Sequence, residues 1–330
     1  MKTTTTTTNN SSLDPLTVAT SVTDHEVPGW FGDSNQGAGI TVADLTGTGR
    51  KDLVVFHIDH PSGGNHGYYR IGQNLKADGT VAAWSDPIQV PGWFGDDNQG
   101  GGIAVADLKG TGRKDLIVFH IDHPSDFNRG YYRIGENLHL EGGKWTVEAW
   151  TEPILVSGEN ANGPGWFGTQ TQGTGIAVAD LTGCGKKDLV IFQIDHPGGG
   201  NHGYYRFGRN LSSTGKAERW TSAIQIPGWF GDENQGGGIT FRADNGVSLV
   251  VFHIDHPNTG NRGYYRTSSK VDPGIPLTWS DVQIVPGSYG MSDAGGDVAL
   301  VNFSGQDYLI NFYLMNPGGG NRGYYNLLQI

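Results

Sequence analysis

Two sets of side chains recur along this 330-residue chain at fixed spacing and carry groups able to do chemistry. The first set lies in a turn: Trp30, Asp33, Asn35 and Gln36, then Trp93, Asp96, Asn98 and Gln99, then Trp229, Asp232, Asn234 and Gln235. The second is a His-x-Asp-His run with an Asn a few residues on: His57, Asp59, His60 and Asn65; His120, Asp122, His123 and Asn128; His253, Asp255, His256 and Asn261. Indole and phenol rings stack on the apolar C–H face of a sugar, while Asp, Asn, Gln and His exchange hydrogen bonds with its hydroxyls. A few convergent polar groups beside an apolar surface are what a small-molecule site needs. Residues i and i+2 of a strand share a face, so His57 and Asp59 could also chelate a metal together. An Asp–His hydrogen bond, or Asp bonds to loop amides, would equally satisfy groups that are costly to leave unpaired at the end of a buried strand. Gln193, in the place of the His, favours the hydrogen-bonding role.

All of these residues belong to one unit used five times, opening at Pro28, Pro91, Pro164, Pro227 and Pro286. The period is long enough for one four-stranded blade. The copies are unequal. The third reads Thr169-Gln170-Thr171-Gln172 in the turn, and the fifth loses the Trp and carries Tyr313, Met315 and Asn316 instead of His-x-Asp-His. The expectation is three full sites, one altered and one weak or absent. Trp30 and Phe31 are adjacent, so at least one of them points into the core, and the same holds for Tyr68 and Tyr69.

Each copy offers four strand-like runs and no helical periodicity. In the first run Ile40 and Val42 alternate with the smaller Thr41 and Ala43, a pattern suited to an innermost strand where elements crowd toward an axis. The second, Leu53-Val-Val-Phe-His-Ile-Asp59, is almost continuously apolar, as for a strand covered on both faces. The third, Gly67-Tyr-Tyr-Arg-Ile-Gly72, is amphipathic. Copy five stops after its third run, while an orphan fourth strand stands near 21–27, ahead of Pro28. Pairing the two leaves no open edge. The sequence therefore predicts an all-β fold: a five-bladed β-propeller of four-stranded antiparallel blades, closed by the N-terminal strand. It occupies 17–330 as one domain behind a polar, disordered tail at 1–16. Antiparallel order places the Trp turn and the His-Pro loop on one face of the disc.

The segments 104–119 (AVADLKGTGRKDLIVF) and 177–192 (AVADLTGCGKKDLVIF) resemble the FG-GAP/VCBS repeat, whose members are β-propellers that include integrin heads and mushroom lectins. Five-bladed closure resembles the tachylectin-type lectins at the level of fold. The resemblance implies calcium in the turn between first and second strands, which here would fall on Asp44 and Asp52, Asp107 and Asp115, and Asp180 and Asp188. Thr46 and Thr48 stand where that pattern carries Asn or Asp, leaving two carboxylates per turn for an ion that wants more. Asp capping its own glycine turn is the favoured reading, with no cofactor expected.

The net charge of −11 and the absence of a Lys/Arg cluster argue against nucleic acid and an anionic membrane surface. The lone Cys184 stands in place of a turn Thr. No apolar run of signal-peptide or membrane-spanning type is present, so the expectation is cytoplasmic synthesis, with any release by a non-classical route. The function expected is a non-enzymatic lectin with repeated sites on one face, its partners glycans or glycoproteins. A protein-interaction scaffold is the alternative. A glycoside hydrolase is more remote, because its carboxylate pair belongs to one asymmetric site whereas these carboxylates recur in every full copy.

Overall fold

The computed structural model describes residues 22–32, 35–59, 65–94, 98–122, 128–158, 165–168, 171–195, 201–231, 234–243, 246–255, 261–272, 275–287, 289, 293–315 and 321–330. Of residues 35–36, 98–99, 171–172, 234–235 and 293–294 the backbone alone is described. The tail at 1–16 lies outside these residues. Among them every regular element is a strand, and no helix is long and apolar enough to cross a membrane.

The strands form five antiparallel sheets, one per copy. Blade one runs outward from Asn35–Ala43 through Lys51–Asp59 and His66–Leu75 to an interrupted outer edge, Ala83–Trp84 and Ile88–Val90. Blades two, three and four repeat the order from inner strands Asn98–Ala106, Thr171–Ala179 and Asn234–Ala243. Blade five has Asp293–Phe303, Gln306–Met315 and Arg322–Gln329, and its outer strand is His25–Val27 from the other end of the chain. His25 pairs with Tyr325 and Val27 with Gly323, so the ring closes as the sequence predicts.

Five apolar cores lie between the blades. Leu53 and Val55 of blade one pack on Ile310 and Phe312 of blade five. Val54, Phe56 and Ile58 of the same strand pack on Ile103, Leu116 and Val118 of blade two. The second strand is therefore buried on both faces, which is why its sequence does not alternate.

Toward the axis the spacing shrinks until only backbone fits. A Cβ on Gly37 would lie 2.4 Å from the Gly101 nitrogen, and one on Gly173 would lie 2.5 Å from the Gly237 nitrogen. Farther along the axis the inner strands leave a cavity of about 160 Å³ lined by residues that include Thr41, Val42, Val105, Val178, Thr240 and Leu300. Replacing Gly37 with Ala is expected to destabilise the chain by about 1–3 kcal/mol through overpacking, read as a lower urea midpoint. An unchanged midpoint would show that the strands can part.

One residue breaks the glycine pattern. Gly39, Gly102, Gly175 and Gly238 each face a Phe of the second strand, and the same register position in blade five is Asp297, opposite Phe312. Its side chain is fully buried and accepts N–H bonds from Ile40 at 2.9 Å and Val298 at 2.8 Å, and from Ile239. It thus joins the inner strands of blades four, five and one. Burial raises its pKa well above the ordinary carboxylate value, against the pull of the three amides. An acid whose folded pKa is raised contributes stability that is complete below the unfolded pKa and is lost as pH rises through the folded one. Asp297→Asn should therefore match the parent near pH 4 and exceed it in urea midpoint at pH 8. A variant weaker than the parent at pH 8 would show instead that the amides hold an anion.

Candidate functional site

The adjacent Trp and Phe of the turn part company. Phe31, Phe94, Phe167 and Phe230 are fully buried, whereas Trp30, Trp93, Trp166 and Trp229 are 40–44% exposed. The Phe ring plugs the previous blade: Phe31 sits against Gly323 and Phe312 of blade five, where a Cβ on Gly323 would meet the ring at 2.7 Å. With the Phe anchored, the Trp stands on the rim.

A buried arginine fixes the turn that carries this pair. Arg133 of the third strand donates from its two terminal nitrogens to the carbonyls of Pro91 and Trp93, both at 2.8 Å, and its guanidinium lies 5.5 Å from the centre of the Phe94 ring. Arg70 and Arg266 repeat both carbonyl bonds, Arg206 bonds the Trp166 carbonyl, and all three lie over the corresponding Phe. Two carbonyls and an aromatic face replace the water a buried guanidinium has lost. Burial lowers the pKa of all four, that of Arg206 to about 10.

Each exposed indole stands edge-on to a tyrosine of its own blade: Trp30 to Tyr68 at 6.2 Å, Trp93 to Tyr131 at 5.8 Å, Trp166 to Tyr204 at 5.1 Å and Trp229 to Tyr264 at 5.2 Å. In blades one, two and four a histidine stacks on that tyrosine, as His57 does on Tyr68 at 5.3 Å. His57, His120 and His253 are almost wholly buried, and burial pushes each pKa down to about 3, with the neighbouring arginine adding to the effect. They are therefore neutral across the physiological range and serve as packing. The adjoining carboxylates sit under the glycine of the turn: a Cβ on Gly32, Gly168 or Gly231 would fall within 2.4 Å of Asp59, Asp195 or Asp255. Among the described residues no three His, Cys, Asp or Glu side chains gather closely enough to hold a metal ion.

Of the residues singled out from sequence, Asp33, His60, Asp96, His123, Asp232 and His256 lie outside the described residues. Asn35, Gln36, Asn98, Gln99, Asn234 and Gln235 open the inner strands, and their side chains are likewise outside the description. Asn65, Asn128 and Asn261 are 3% exposed or less, which seats them in the seam between blades instead of on an open surface. The Asn128 amide nitrogens donate toward the Gly168 and Phe167 carbonyls of the next blade, both at 3.4 Å. Copy five keeps the core without the rim: Tyr289 fills the Phe position, fully buried, and Tyr313 stacks on Tyr324 in place of His on Tyr.

The glycine turns follow the capping pattern. Asp44 accepts the amides of Thr48 and Gly49 at 3.1 and 2.7 Å, and Asp52 accepts those of Leu45 and Asn74 at 3.3 and 2.9 Å. Asp107 with Asp115 does the same, and Asp180 accepts Cys184 and Gly185 while Asp188 accepts Asn210 and pairs with Arg209.

The arginine clamp went unremarked in the sequence, although the copies contain its signature. Four copies read GYYR and carry the Trp, while the fifth reads GYYN and does not.

No protein-family model and no curated protein matches the chain, so the FG-GAP/VCBS resemblance gains no support from that side. Solved structures of similar fold include a Trypanosoma rangeli sialidase in complex with the inhibitor DANA (10% identity, TM-score 0.43, 89% of this chain and 55% of that one). They also include the alpha-L-arabinofuranosidase of Lactobacillus brevis (12% identity, TM-score 0.48, 89% of this chain and 90% of that one). A third is the K499G mutant of the NanB sialidase of Streptococcus pneumoniae (12%, 0.43, 87% and 58%). The chain thus spans little more than half the length of these sialidases. All three are named as enzymes and none as a lectin. The expectation of a non-enzymatic lectin is corrected on this finding and is not carried further. At such identities the likeness assigns no catalytic residue, and what is established is the class: a closed, five-bladed, all-antiparallel β-propeller.

The buried histidines give a pH signature. A base whose folded pKa is lowered contributes stability that is present above its unfolded pKa near 6.5 and is lost as pH falls toward the folded value. Between pH 7.5 and 5.5 the three together should cost about 4 kcal/mol, at about 1.4 kcal/mol per proton and pH unit. Replacing His57, His120 and His253 by Gln, the residue at 193, should flatten that part of the pH dependence of the urea midpoint. Equal slopes in parent and variant would mean that the imidazoles are charged in the fold.

Proposed function

We propose that this propeller is a glycan-directed protein, whose saccharide-contacting surface is formed by the Trp–Tyr notches of blades one to four. The observation that supports the reading is the repeated geometry: a tryptophan about two-fifths exposed, its indole held nearly at a right angle to a tyrosine and its own carbonyl bonded by a buried arginine. Exposed tryptophans cost solvation, and a fixed perpendicular pair offers one flat face to a sugar ring and one phenol edge for a hydroxyl. Asp33, Asn35 and Gln36 follow Trp30 in sequence and His60 follows Asp59; with their counterparts Asp96, Asn98, Gln99 and His123, and Asp232, Asn234, Gln235 and His256, they would supply the remaining hydrogen bonds. Glycan-binding and glycan-cleaving proteins both need such a surface, so the reading concerns sugar contact and leaves catalysis to assay.

The experiment combines a glycan array with a cleavage screen on aryl glycosides, followed by replacement of Trp30, Trp93, Trp166 and Trp229 by Ala, singly and together. Each single change should weaken the response to glycan, and the quadruple variant, still folded by circular dichroism, should lose sugar contact and any cleavage by more than about tenfold, or 1.4 kcal/mol. A glycan response that survives the quadruple change, or no response in either screen, would overturn the reading.

A further inference from the structure

A separate concavity of about 520 Å³ opens at the seam between blades two and three, within the size range of small-molecule sites. One wall is the segment 151–155, on the outer edge of blade two, and the other is the turn 214–220 of blade three. The floor is formed by Tyr132 and Trp220, nearly buried and edge-to-face at 6.2 Å. Both walls are held in place. The Tyr132 hydroxyl donates to the Gly215 carbonyl at 2.9 Å, Thr151 exchanges hydrogen bonds with Ile134 at 3.0 Å in both directions, and the Glu218 amide donates to the Arg209 carbonyl at 2.9 Å.

The repeat supplies an internal control. At the seam between blades five and one the Tyr325 hydroxyl donates to Gly79 in the same way, at 2.7 Å, and the turn 76–84 makes matching bonds from Gly79 to Lys76 and from Ala82 to Gln73. Over 78–84, the counterpart of 214–220, that wall carries one charge, Asp78, followed by Thr80, Val81, Ala82 and Ala83, and the space beside Gly79 is filled by His25, stacked on Tyr325 at 5.2 Å, as the space beside Gly215 is filled by Ile134. In blade three, Lys216, Glu218 and Arg219 replace Thr80, Ala82 and Ala83, and Ile154 takes the place of His25 opposite the tyrosine. Glu152 stands on the facing wall. The same stretch of the scaffold thus carries one charge, Asp78, at the seam between blades five and one, and three, Lys216, Glu218 and Arg219, at the seam between blades two and three.

The charges restrict the occupant. Two carboxylates and two cations border one cleft, the Glu218 carboxylate also accepting from the Asn210 side-chain amide at 2.9 Å, so a ligand with a single net charge would meet like charge whichever way it lay. Between them Pro153, Ile154, Leu155 and Ala217 offer apolar surface. We propose that this cleft binds a small zwitterion with an apolar body, of the α-amino-acid class, its ammonium toward Glu152 and Glu218, its carboxylate toward Lys216 and Arg219, and its side chain over Pro153, Ile154 and Leu155. The site is independent of the tryptophan notches and of the glycan reading.

The test titrates the whole chain with L-leucine, following amide resonances of Gly215 and Trp220, with leucinamide and 4-methylpentanoate as probes that lack one charge each. Leucine should bind with a Kd of about 1 mM or tighter, and each probe about tenfold more weakly. The pair Lys216→Ala with Arg219→Ala, the pair Glu152→Gln with Glu218→Gln, and the cleft-filling Ala217→Trp should each weaken leucine by at least about tenfold, while Trp93→Ala leaves it unchanged. The changed side chains are exposed or half-buried, and circular dichroism verifies that each variant folds. No saturable response to leucine, equal binding of the singly charged probes, or leucine binding untouched by the three cleft variants would each overturn the proposal.

Discussion

The inner strands of this protein meet around the axis backbone against backbone at their glycines, with Asp297 as the exception. Gly37 against Gly101 and Gly173 against Gly237 set how closely neighbouring blades come. Once that distance is set, the second strands have no solvent face, the five interblade cores close, and each turn must send one ring inward to plug the adjacent blade. The outward indole follows from the inward phenyl.

The clamp then decides how far outward the indole stands. A guanidinium bonded to the carbonyl on either side of the glycine in Pro-Gly-Trp fixes the turn from below, so the Trp main chain has little freedom to fold back over its own ring's site. The same blade keeps a neutral imidazole under the tyrosine, where burial and stacking exclude a charged form. Affinity at such a rim would come from rigid aromatic surface, at small cost in side-chain entropy.

Much of the architecture was legible because the chain repeats it. The alternation of Ile40 and Val42 with small residues, the unbroken apolar run from Leu53 to Ile58, and the orphan strand before Pro28 together specify blades, their order and their closure. The site was legible in part. Adjacent Trp and Phe gave no hint which would face out, since that depends on the fit of a Phe ring against Gly323, a residue of another blade. Asn65, Asn128 and Asn261 carry the same chemistry whether they meet a ligand or the next blade's loop, and only burial distinguishes the two. Arg70 reads as an ordinary polar position of an amphipathic strand until its carbonyl partners about 40 residues away come into view.

Copy five, which departs most from the consensus, departs where the ring is joined. Asn326, in place of the clamp arginine, donates to Asp24, and Arg322 pairs with Glu26, both beside the closing strand. The joint unites residues some 300 positions apart through a strand of three residues. That short strand covers the outer edge of Arg322–Gln329, whose backbone groups would otherwise be open to pairing with another chain, so the few residues 25–27 guard the whole disc against edge-to-edge association.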